Sequence, residues 1–120
     1  MTKTLTASNI RYLLIMQRLD PENKGTRCTD VAEKLKCSKP SVHNMMDTLR
    51  DMGIIRRDAY GESFFTEEGR ALAERYSRYF DAVASLLADQ FPEDDLISGV
   101  CAFLSEMPEA ALASLEKKVG

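Results

Sequence analysis

The sequence predicts a mainly α-helical chain in which two short helices and a β-hairpin precede a long helix. Three observations carry this prediction. Thr29 and Ser38 have the residue types of helix N-caps, and each precedes apolar residues at helical spacing. A Gly-containing turn then separates two runs of β-branched and aromatic residues. Finally, apolar side chains recur every three or four positions from Leu72 to Leu86.

The first helix should begin at Thr6 or Ser8, either of which can cap it, and should end at Asp20, before Pro21. The next helix is predicted to start at the Thr29 cap and to end near Lys36. The two helices are separated by loop residues 21–25.

A third helix follows after a turn of three or four residues. Ser38 is its predicted N-cap, Pro40 is tolerated in its first turn, and Gly53 stops it. Its apolar stripe has the i, i+3, i+4, i+7 spacing and consists of Val42, Met45, Met46 and Leu49. Two capped helices joined by such a turn are typical of a helix-turn-helix.

The β-hairpin should pair residues 54–57 with residues 62–66 around the turn 58–61. Thr66 then caps a long helix of roughly 24 residues, a further helix starts near Glu93, and Pro108 opens a last one. The predicted fold is therefore a winged helix-turn-helix, made of three helices plus a β-hairpin wing, over residues 1–66. A long helix and a small helical dimerisation domain follow over residues 67–120.

Composition favours a globular protein, because 44% of the residues are hydrophobic. The net charge of −3 hides a split: residues 1–57 carry 11 Lys and Arg against 6 Asp and Glu, whereas residues 58–120 carry 5 against 13. A basic front half suits a polyanionic partner. We expect neither a signal peptide nor a membrane span, and hence a cytoplasmic protein.

The third helix carries the candidate DNA-binding residues. Its apolar stripe leaves polar side chains near its start facing outward, as base recognition in the major groove requires. Asn44 is the predicted base-reading residue, because its amide donates and accepts together. The residues predicted to contact DNA on this helix are Ser38, Lys39, Pro40, Ser41, His43 and Asn44.

The hairpin supplies a second group of DNA-binding candidates. Arg56 and Arg57 precede its turn and are predicted to contact the phosphate backbone, with Tyr60 at the tip able to stack or to contact sugar. Two arginines on an edge strand also protect a sheet from aggregation, and a turn tyrosine can simply be solvent-exposed.

The long helix is too long for so small a domain to cover alone, which predicts a homodimer. The predicted dimerisation residues are Tyr76, Tyr79, Val83, Leu86, Ile97, Val100 and Leu104. The chain lacks a catalytic constellation, since it has one histidine and no Gly-rich phosphate loop, so we do not expect an enzyme. The rival prediction is a winged helix that serves as a protein–protein adaptor.

The order of these elements, with Ser-Lys-Pro-Ser-Val in the third helix and Phe-Thr-Glu-Glu-Gly-Arg leading into the long helix, resembles the iron- and manganese-dependent repressor family. This is the family of the diphtheria toxin repressor and the manganese transport regulator. The resemblance implies a homodimeric transcriptional repressor on palindromic double-stranded DNA. Regulators of the multiple-antibiotic-resistance type, which respond to a small molecule or to thiol oxidation, share the wing and are the alternative.

The resemblance also implies a metal site, but the ligand positions are substituted. They fall near Ser8 and Arg11, near Phe80, and near Ser98, Cys101 and Ala102, and of these only Cys101 has a side chain that binds transition metals. We therefore expect no cofactor, with Mn or Fe binding retained only as a less favoured alternative.

Three cysteines without Cys-x-x-Cys spacing do not form a disulfide framework or a zinc site. Cys28 and Cys37 flank the first helix of the predicted motif. A disulfide between them would distort the DNA-binding helices, which makes these two residues candidates for a redox sensor. A small-molecule pocket is the other candidate for the regulatory signal.

Overall fold

The computed structural model describes residues 4–119 and confirms the predicted mainly α fold class. Its elements in chain order are α1 (Ala7–Leu19), β1 (Thr26–Arg27), α2 (Cys28–Leu35), α3 (Lys39–Asp51), β2 (Ile55–Arg57), β3 (Glu62–Phe65), α4 (Glu67–Leu87), α5 (Glu93–Glu106) and α6 (Glu109–Val119). Among the described residues, no helix combines the length and apolar character that crossing a bilayer requires.

The chain divides into two compact units. One contains residues 12–74, and the other contains residues 4–11 together with residues 75–119. This division differs from the predicted boundary at residue 66. The first two turns of α4 belong to the winged-helix unit, and the start of α1 belongs to the unit of the C-terminal helices.

The winged-helix unit contains α2, α3 and a three-stranded antiparallel sheet in the order β1-β3-β2. The predicted hairpin is present, with Ile55 paired with Phe65 and Arg57 with Ser63. Its turn is stabilised by the Asp58 carboxylate, which accepts hydrogen bonds from the backbone N–H groups of Tyr60 and Glu62, both at 2.9 Å. The third strand, β1, was not predicted, because two residues are too few to produce a sequence pattern.

Three predicted helix caps are present. Thr6 Oγ1 accepts from the Asn9 N–H at 3.0 Å, Ser38 Oγ accepts from the Ser41 N–H at 3.3 Å, and Thr66 Oγ1 accepts from the Gly69 N–H at 3.0 Å. These bonds satisfy N–H groups that have no partner within the helix.

The predicted Thr29 cap is wrong. Helix α2 begins at Cys28, and its N-cap is Arg27, two residues before the predicted cap, with a side chain that makes no capping hydrogen bond. Because Arg27 is also the last residue of β1, the strand runs directly into the helix. Pairing of β1 with the hairpin therefore sets the start of α2, and no local sequence signal reports that pairing.

The C-terminal unit contains the later part of α4 together with α5 and α6. Helix α4 ends at Leu87, three residues before the predicted end at Gln90. The Arg75 guanidinium Nε lies 2.7 Å from Glu109 Oε2, and the Tyr79 hydroxyl donates to the same oxygen at 2.9 Å. These contacts attach the start of α6 to α4.

Most residues predicted for dimerisation are already buried within one chain. This group consists of Tyr76, Tyr79, Val83, Val100 and Leu104. Ile97 is half-buried, whereas Leu86 is 59% exposed. The spacing correctly predicted a helix that packs along its length, but spacing does not tell whether the covering helices come from the same chain or from a partner.

Candidate nucleic-acid interface

Helix α3 presents its polar residues outward, as predicted. In its inner stripe Val42, Met46 and Leu49 are each 0% exposed, whereas Met45, predicted for the same stripe, is half-buried. The six predicted DNA-binding residues around its start are all exposed: Ser38, Lys39, Pro40, Ser41, His43 and Asn44. A rigid helix with short polar side chains at its exposed N-terminal end has the geometry that reads base edges in a major groove.

The Ser38 and Ser41 hydroxyls are partly engaged within the protein. Their oxygens lie 2.8 Å apart, and Ser38 Oγ also accepts the Ser41 N–H. The pair therefore fixes the first turn of α3. Lys39 lies between them and is exposed at the positive end of the helix, where backbone N–H groups and a lysine together favour a phosphate.

The hairpin places two of its three predicted residues in solvent. Tyr60 at the tip is 92% exposed. Arg56 is exposed, and its guanidinium carbon lies 4.5 Å above the centroid of the Phe64 ring across the strand pair. This cation–π contact orients Arg56 while leaving its charge accessible to a phosphate backbone.

Arg57 differs from the prediction, because its side chain is only 18% exposed and turns toward α3. Its NH1 lies 3.3 Å from Asp47 Oδ1, and its NH2 lies 3.2 Å from His43 Nδ1 and 3.5 Å from Cys28 Sγ. Side chains alternate along a strand, so Arg56 and Arg57 face opposite sides. Arg57 therefore does not present its charge to solvent for the phosphate contact that the sequence predicts, whereas Arg56 does.

Two polar residues that the sequence analysis did not single out shape the loop before β1. The Asp20 carboxylate accepts hydrogen bonds from the backbone N–H groups of Lys24 at 2.8 Å and Gly25 at 2.7 Å. The Asn23 side chain accepts from the Phe65 N–H at 2.9 Å and donates to the Phe65 carbonyl oxygen at 3.0 Å. Asp and Asn are typical of such turns, and the Asp20 contacts are local, but the partner of Asn23 lies 42 residues away and leaves no local signal.

The two candidate redox cysteines lie at opposite ends of α2. Cys28 is its first residue, and Cys37 follows its C-cap, Lys36. An eight-residue helix is about 12 Å long, whereas disulfide-bonded Cα atoms lie within about 7 Å of each other. A disulfide between the two residues would therefore require α2 to unwind.

Cys28 is also chemically unreactive in this environment. It is 6% exposed, and burial raises the pKa of its thiol, more than the nearby Arg57 charge lowers it. A thiol in its protonated form is a poor nucleophile and is slow to oxidise. Cys37 is half-exposed, and its sulfur lies 3.7 Å from the Tyr12 hydroxyl.

The positions that the family resemblance assigns to a metal do not fit one. Phe80 and Cys101 are buried, Arg11 places a guanidinium there, the exposed Ser8 and Ser98 offer one hydroxyl each, and Ala102 offers no ligand. Arg11 Nε is itself buried without a hydrogen-bond partner among residues 4–119. Within the same residues, no cluster of three His, Cys, Asp or Glu side chains could hold a metal ion.

A hydrogen-bonded hairpin next to an outward-facing, capped α3 defines a winged helix-turn-helix protein. Residues 10–59 match the model of the IclR helix-turn-helix domain. No curated protein matches the chain. The match covers α1 to the hairpin turn and so contains most of the candidate interface.

The chain is also similar to several solved structures. It shares 18% identity with IdeR of T. acidophilum. The structural alignment covers 98% of this chain and 55% of that one and has a TM-score of 0.69. For the manganese regulator SloR the identity is 21%, the coverage 97% and 54%, and the TM-score 0.70. For the hypothetical protein SSo2273 from Sulfolobus solfataricus the identity is 18%, the coverage 97% and 90%, and the TM-score 0.66.

The chain thus spans about half the length of the IdeR and SloR chains that it matches. At these identities the likeness shows the winged-helix fold. Together with the helix-turn-helix match, it supports a DNA-binding regulator of transcription as the class of protein. The family model that matches is the IclR helix-turn-helix domain, whereas SloR is a manganese regulator by its title, so these matches agree on the class alone.

Proposed function

We propose that the protein is a sequence-specific regulator of transcription, acting as a repressor, that binds double-stranded DNA as a homodimer. One observation carries the proposal. The start of α3 exposes five polar side chains and Pro40, while Val42, Met46 and Leu49 are buried. Any amphipathic surface helix has a polar outer face, but this one carries hydrogen-bonding side chains at its exposed N-terminal end, on the element that matches a helix-turn-helix domain.

The wing supports the proposal, because Arg56 and Tyr60 extend the exposed face beyond α3. Arg56 supplies charge for sequence-independent affinity, and Asn44 and His43 supply hydrogen-bonding groups for base recognition. The negative net charge does not oppose this function, because the acidic residues are concentrated after residue 57.

The test compares two lysines by charge reversal. Lys39→Glu lies in the proposed interface, whereas the control Lys117→Glu replaces an exposed lysine in the last turn of α6. We expect duplex affinity, measured by fluorescence anisotropy over a range of KCl concentrations, to fall at least about tenfold for Lys39→Glu and to stay near wild type for Lys117→Glu.

Salt dependence separates DNA binding from the adaptor alternative. Each phosphate contact contributes a slope of about −0.9 in a plot of log affinity against log salt concentration, so several contacts produce a steep line. Duplex binding that is absent, or that is unaffected by both salt and Lys39→Glu, would contradict the proposed function and favour a protein–protein adaptor.

The homodimer rests on an apolar groove in the C-terminal unit. The groove has a volume of about 550 Å³ and is bordered by four large apolar side chains that are 37–59% exposed: Leu86, Leu87, Phe91 and Phe103. Clusters of this kind are uncommon on monomeric proteins and mark interaction surfaces. We infer that a second copy covers this groove.

Charge at the groove favours a symmetric partner. Asp95 lines the groove, and Lys118 lies one turn after Leu115, another lining residue, on the same side of α6. In a twofold contact the same patch meets itself in reverse, so an acidic group and a basic group beside one groove can pair across the axis.

The double substitution Leu86→Ser with Phe91→Ser tests this surface. Sedimentation velocity should show a dimer for the wild type and a monomer for the variant. Tyr60→Ser removes an even more exposed aromatic side chain outside the groove and should remain dimeric. A wild-type monomer, or a variant that still dimerises, would overturn the assignment.

We also propose that regulation does not use the metal site of the iron- and manganese-dependent repressors, because the residues at those positions do not fit a metal. Duplex affinity should be the same with EDTA and with added Mn²⁺ or Fe²⁺. A large increase on adding either metal would contradict this part of the proposal.

A further inference from the structure

Arg57 is the centre of a polar cluster that joins the wing strand β2 to α3 and to the start of α2. Its guanidinium contacts Asp47 at 3.3 Å, His43 at 3.2 Å and Cys28 at 3.5 Å. The carboxylate of Asp47 is itself half-exposed and also lies 3.4 Å from Arg50 NH1. A largely buried guanidinium requires such a partner, so Asp47 anchors Arg57 in this position.

The contact with His43 fixes which ring nitrogen carries the proton. A guanidinium has only donors, so the bond from Arg57 NH2 requires Nδ1 of His43 to accept it. Cys28 Sγ lies 3.8 Å from the same nitrogen and accepts from Arg57 NH2 at 3.5 Å, which leaves the single lone pair of Nδ1 to Arg57. In the neutral imidazole the proton is then on Nε2.

His43 therefore has one nitrogen committed to the protein and one N–H donor left. His43 is exposed on α3, one residue before Asn44. The acceptors in the major groove are N7 of either purine, O6 of guanine and O4 of thymine. With the opposite tautomer, the same ring would offer an acceptor and would favour the amino groups of adenine or cytosine.

We propose that Arg57 is a positioning residue for base recognition: anchored by Asp47, it holds His43 in the tautomer that donates from Nε2 to an acceptor on a base edge. Arg57 thereby determines sequence preference, whereas its neighbour Arg56 supplies phosphate affinity. This inference rests on the proposed DNA-binding function and assigns to Arg57 a different role from the phosphate contact that the sequence predicts.

The tautomer can be measured without DNA. His43 is the only histidine in the chain, so its two ring nitrogens give unambiguous signals in a long-range ¹H–¹⁵N NMR experiment. For the neutral ring, we expect the Nε2–H form in the wild type and a mixture of forms in Arg57→Leu and Asp47→Asn. A wild-type Nδ1–H form, or variants with unchanged ring signals, would overturn the proposal whether or not the protein binds DNA.

DNA measurements separate positioning from phosphate contact. The probes are duplexes selected from a random pool by the wild-type protein and a duplex of scrambled sequence. Arg56→Gln should weaken binding to both probes and reduce the salt slope by about 0.9. Arg57→Leu should leave the slope unchanged and reduce the preference for the selected duplex about five- to tenfold. A slope reduced by one contact in Arg57→Leu would contradict the proposal.

Asp47→Asn separates the proposal from simple electrostatics. Electrostatics alone predicts tighter binding to the selected and the scrambled duplex alike, because a carboxylate is removed from the DNA-facing helix. Our proposal predicts in addition a lower preference for the selected duplex, because Arg57 loses its anchor. Asp51→Asn is the control, because Asp51 also pairs with Arg50, at 3.4 Å, and is 73% exposed. Equal sequence preference in the two variants would overturn the proposal, whereas wild-type protein that binds neither probe would instead contradict the proposed function.

Discussion

Gly69 lies directly against the backbone of Ile54. A β carbon at position 69 would overlap the Ile54 carbonyl oxygen and would lie 2.7 Å from the carbonyl carbon. The same oxygen accepts the Thr66 N–H at 3.0 Å, so it cannot move without breaking the junction between the wing and α4. The close approach explains why glycine is present inside the first turn of this helix.

Gly69→Ala should therefore destabilise the protein, although alanine is the better helix former. Overpacking against backbone costs about 3 kcal/mol, at the upper end of the usual range, because no flexible side chain can yield. Urea denaturation followed by circular dichroism measures the loss. Gly99→Ala in α5 is the matched control, measured in the Leu86→Ser, Phe91→Ser background because Gly99 lines the proposed dimer groove. A β carbon there meets nothing within 4 Å in its own chain, and the substitution should stabilise by about 0.5–1 kcal/mol. Equal effects of the two substitutions would contradict this prediction.

The Asn23 side chain pairs with the backbone of Phe65 as the backbone of a neighbouring strand would. Its side-chain amide forms two hydrogen bonds with the backbone of Phe65, and its own φ is 58°. Asn23→Gly removes the two bonds but suits the left-handed backbone, so it should cost about 1–2 kcal/mol. Asn23→Ala loses the same bonds and adds backbone strain of about 1 kcal/mol. The prediction fails if alanine and glycine prove equally destabilising in thermal or urea denaturation.

Features with short-range causes could be predicted from the sequence. Ser38 and Thr66 cap their helices through N–H groups three residues away, and Pro40 and Gly53 limit α3 locally. The exposed face of α3 follows from the same periodicity that buries Val42. The fold class and the positions of the DNA-binding candidates on α3 therefore needed no knowledge of tertiary contacts.

Features with long-range causes could not be predicted. The start of α2 depends on β1 pairing with β3, and the anchoring of Arg57 depends on Asp47, ten residues earlier on another element. Tyr76 and Tyr79 are buried by helices of the same chain, and their spacing alone does not tell which chain supplies those helices. In each case the sequence defines the residue's chemistry, while the partner is defined only by the fold.

Glu109 should make part of the stability of the C-terminal unit dependent on pH. Burial alone would raise the pKa of its carboxyl, but hydrogen bonds from Arg75 and Tyr79 and the Arg75 charge outweigh it and hold the pKa below the ordinary value. A lowered pKa in the folded state stabilises the protein above the unfolded-state pKa, and this stabilisation is lost as the pH falls through the folded-state value.

Glu109→Gln should therefore destabilise the protein by about 1 kcal/mol at pH 7, since the ion pair is one-third exposed and partly screened. The difference from wild type should shrink as the pH is lowered toward 3. Glu106→Gln, an exposed carboxylate in α5, serves as the control and should have little effect at either pH. A difference that is constant from pH 7 to pH 3 would exclude the ionised Glu109 carboxylate as its origin.

The environments of Cys28 and Cys37 predict different reactivities. The raised pKa of Cys28 and its 6% exposure keep it as a shielded thiol, whereas Cys37 is half-exposed at the end of α2. Timed alkylation with iodoacetamide at pH 8, followed by peptide mass spectrometry, should show Cys37 modified at least about tenfold faster than Cys28.

If peroxide instead forms a Cys28–Cys37 disulfide in the folded protein, α2 must unwind readily. Duplex affinity should then fall on oxidation in the wild type and stay constant in a Cys28→Ser, Cys37→Ser double variant. That result would restore the redox-sensor hypothesis, and modification confined to Cys37 would exclude it.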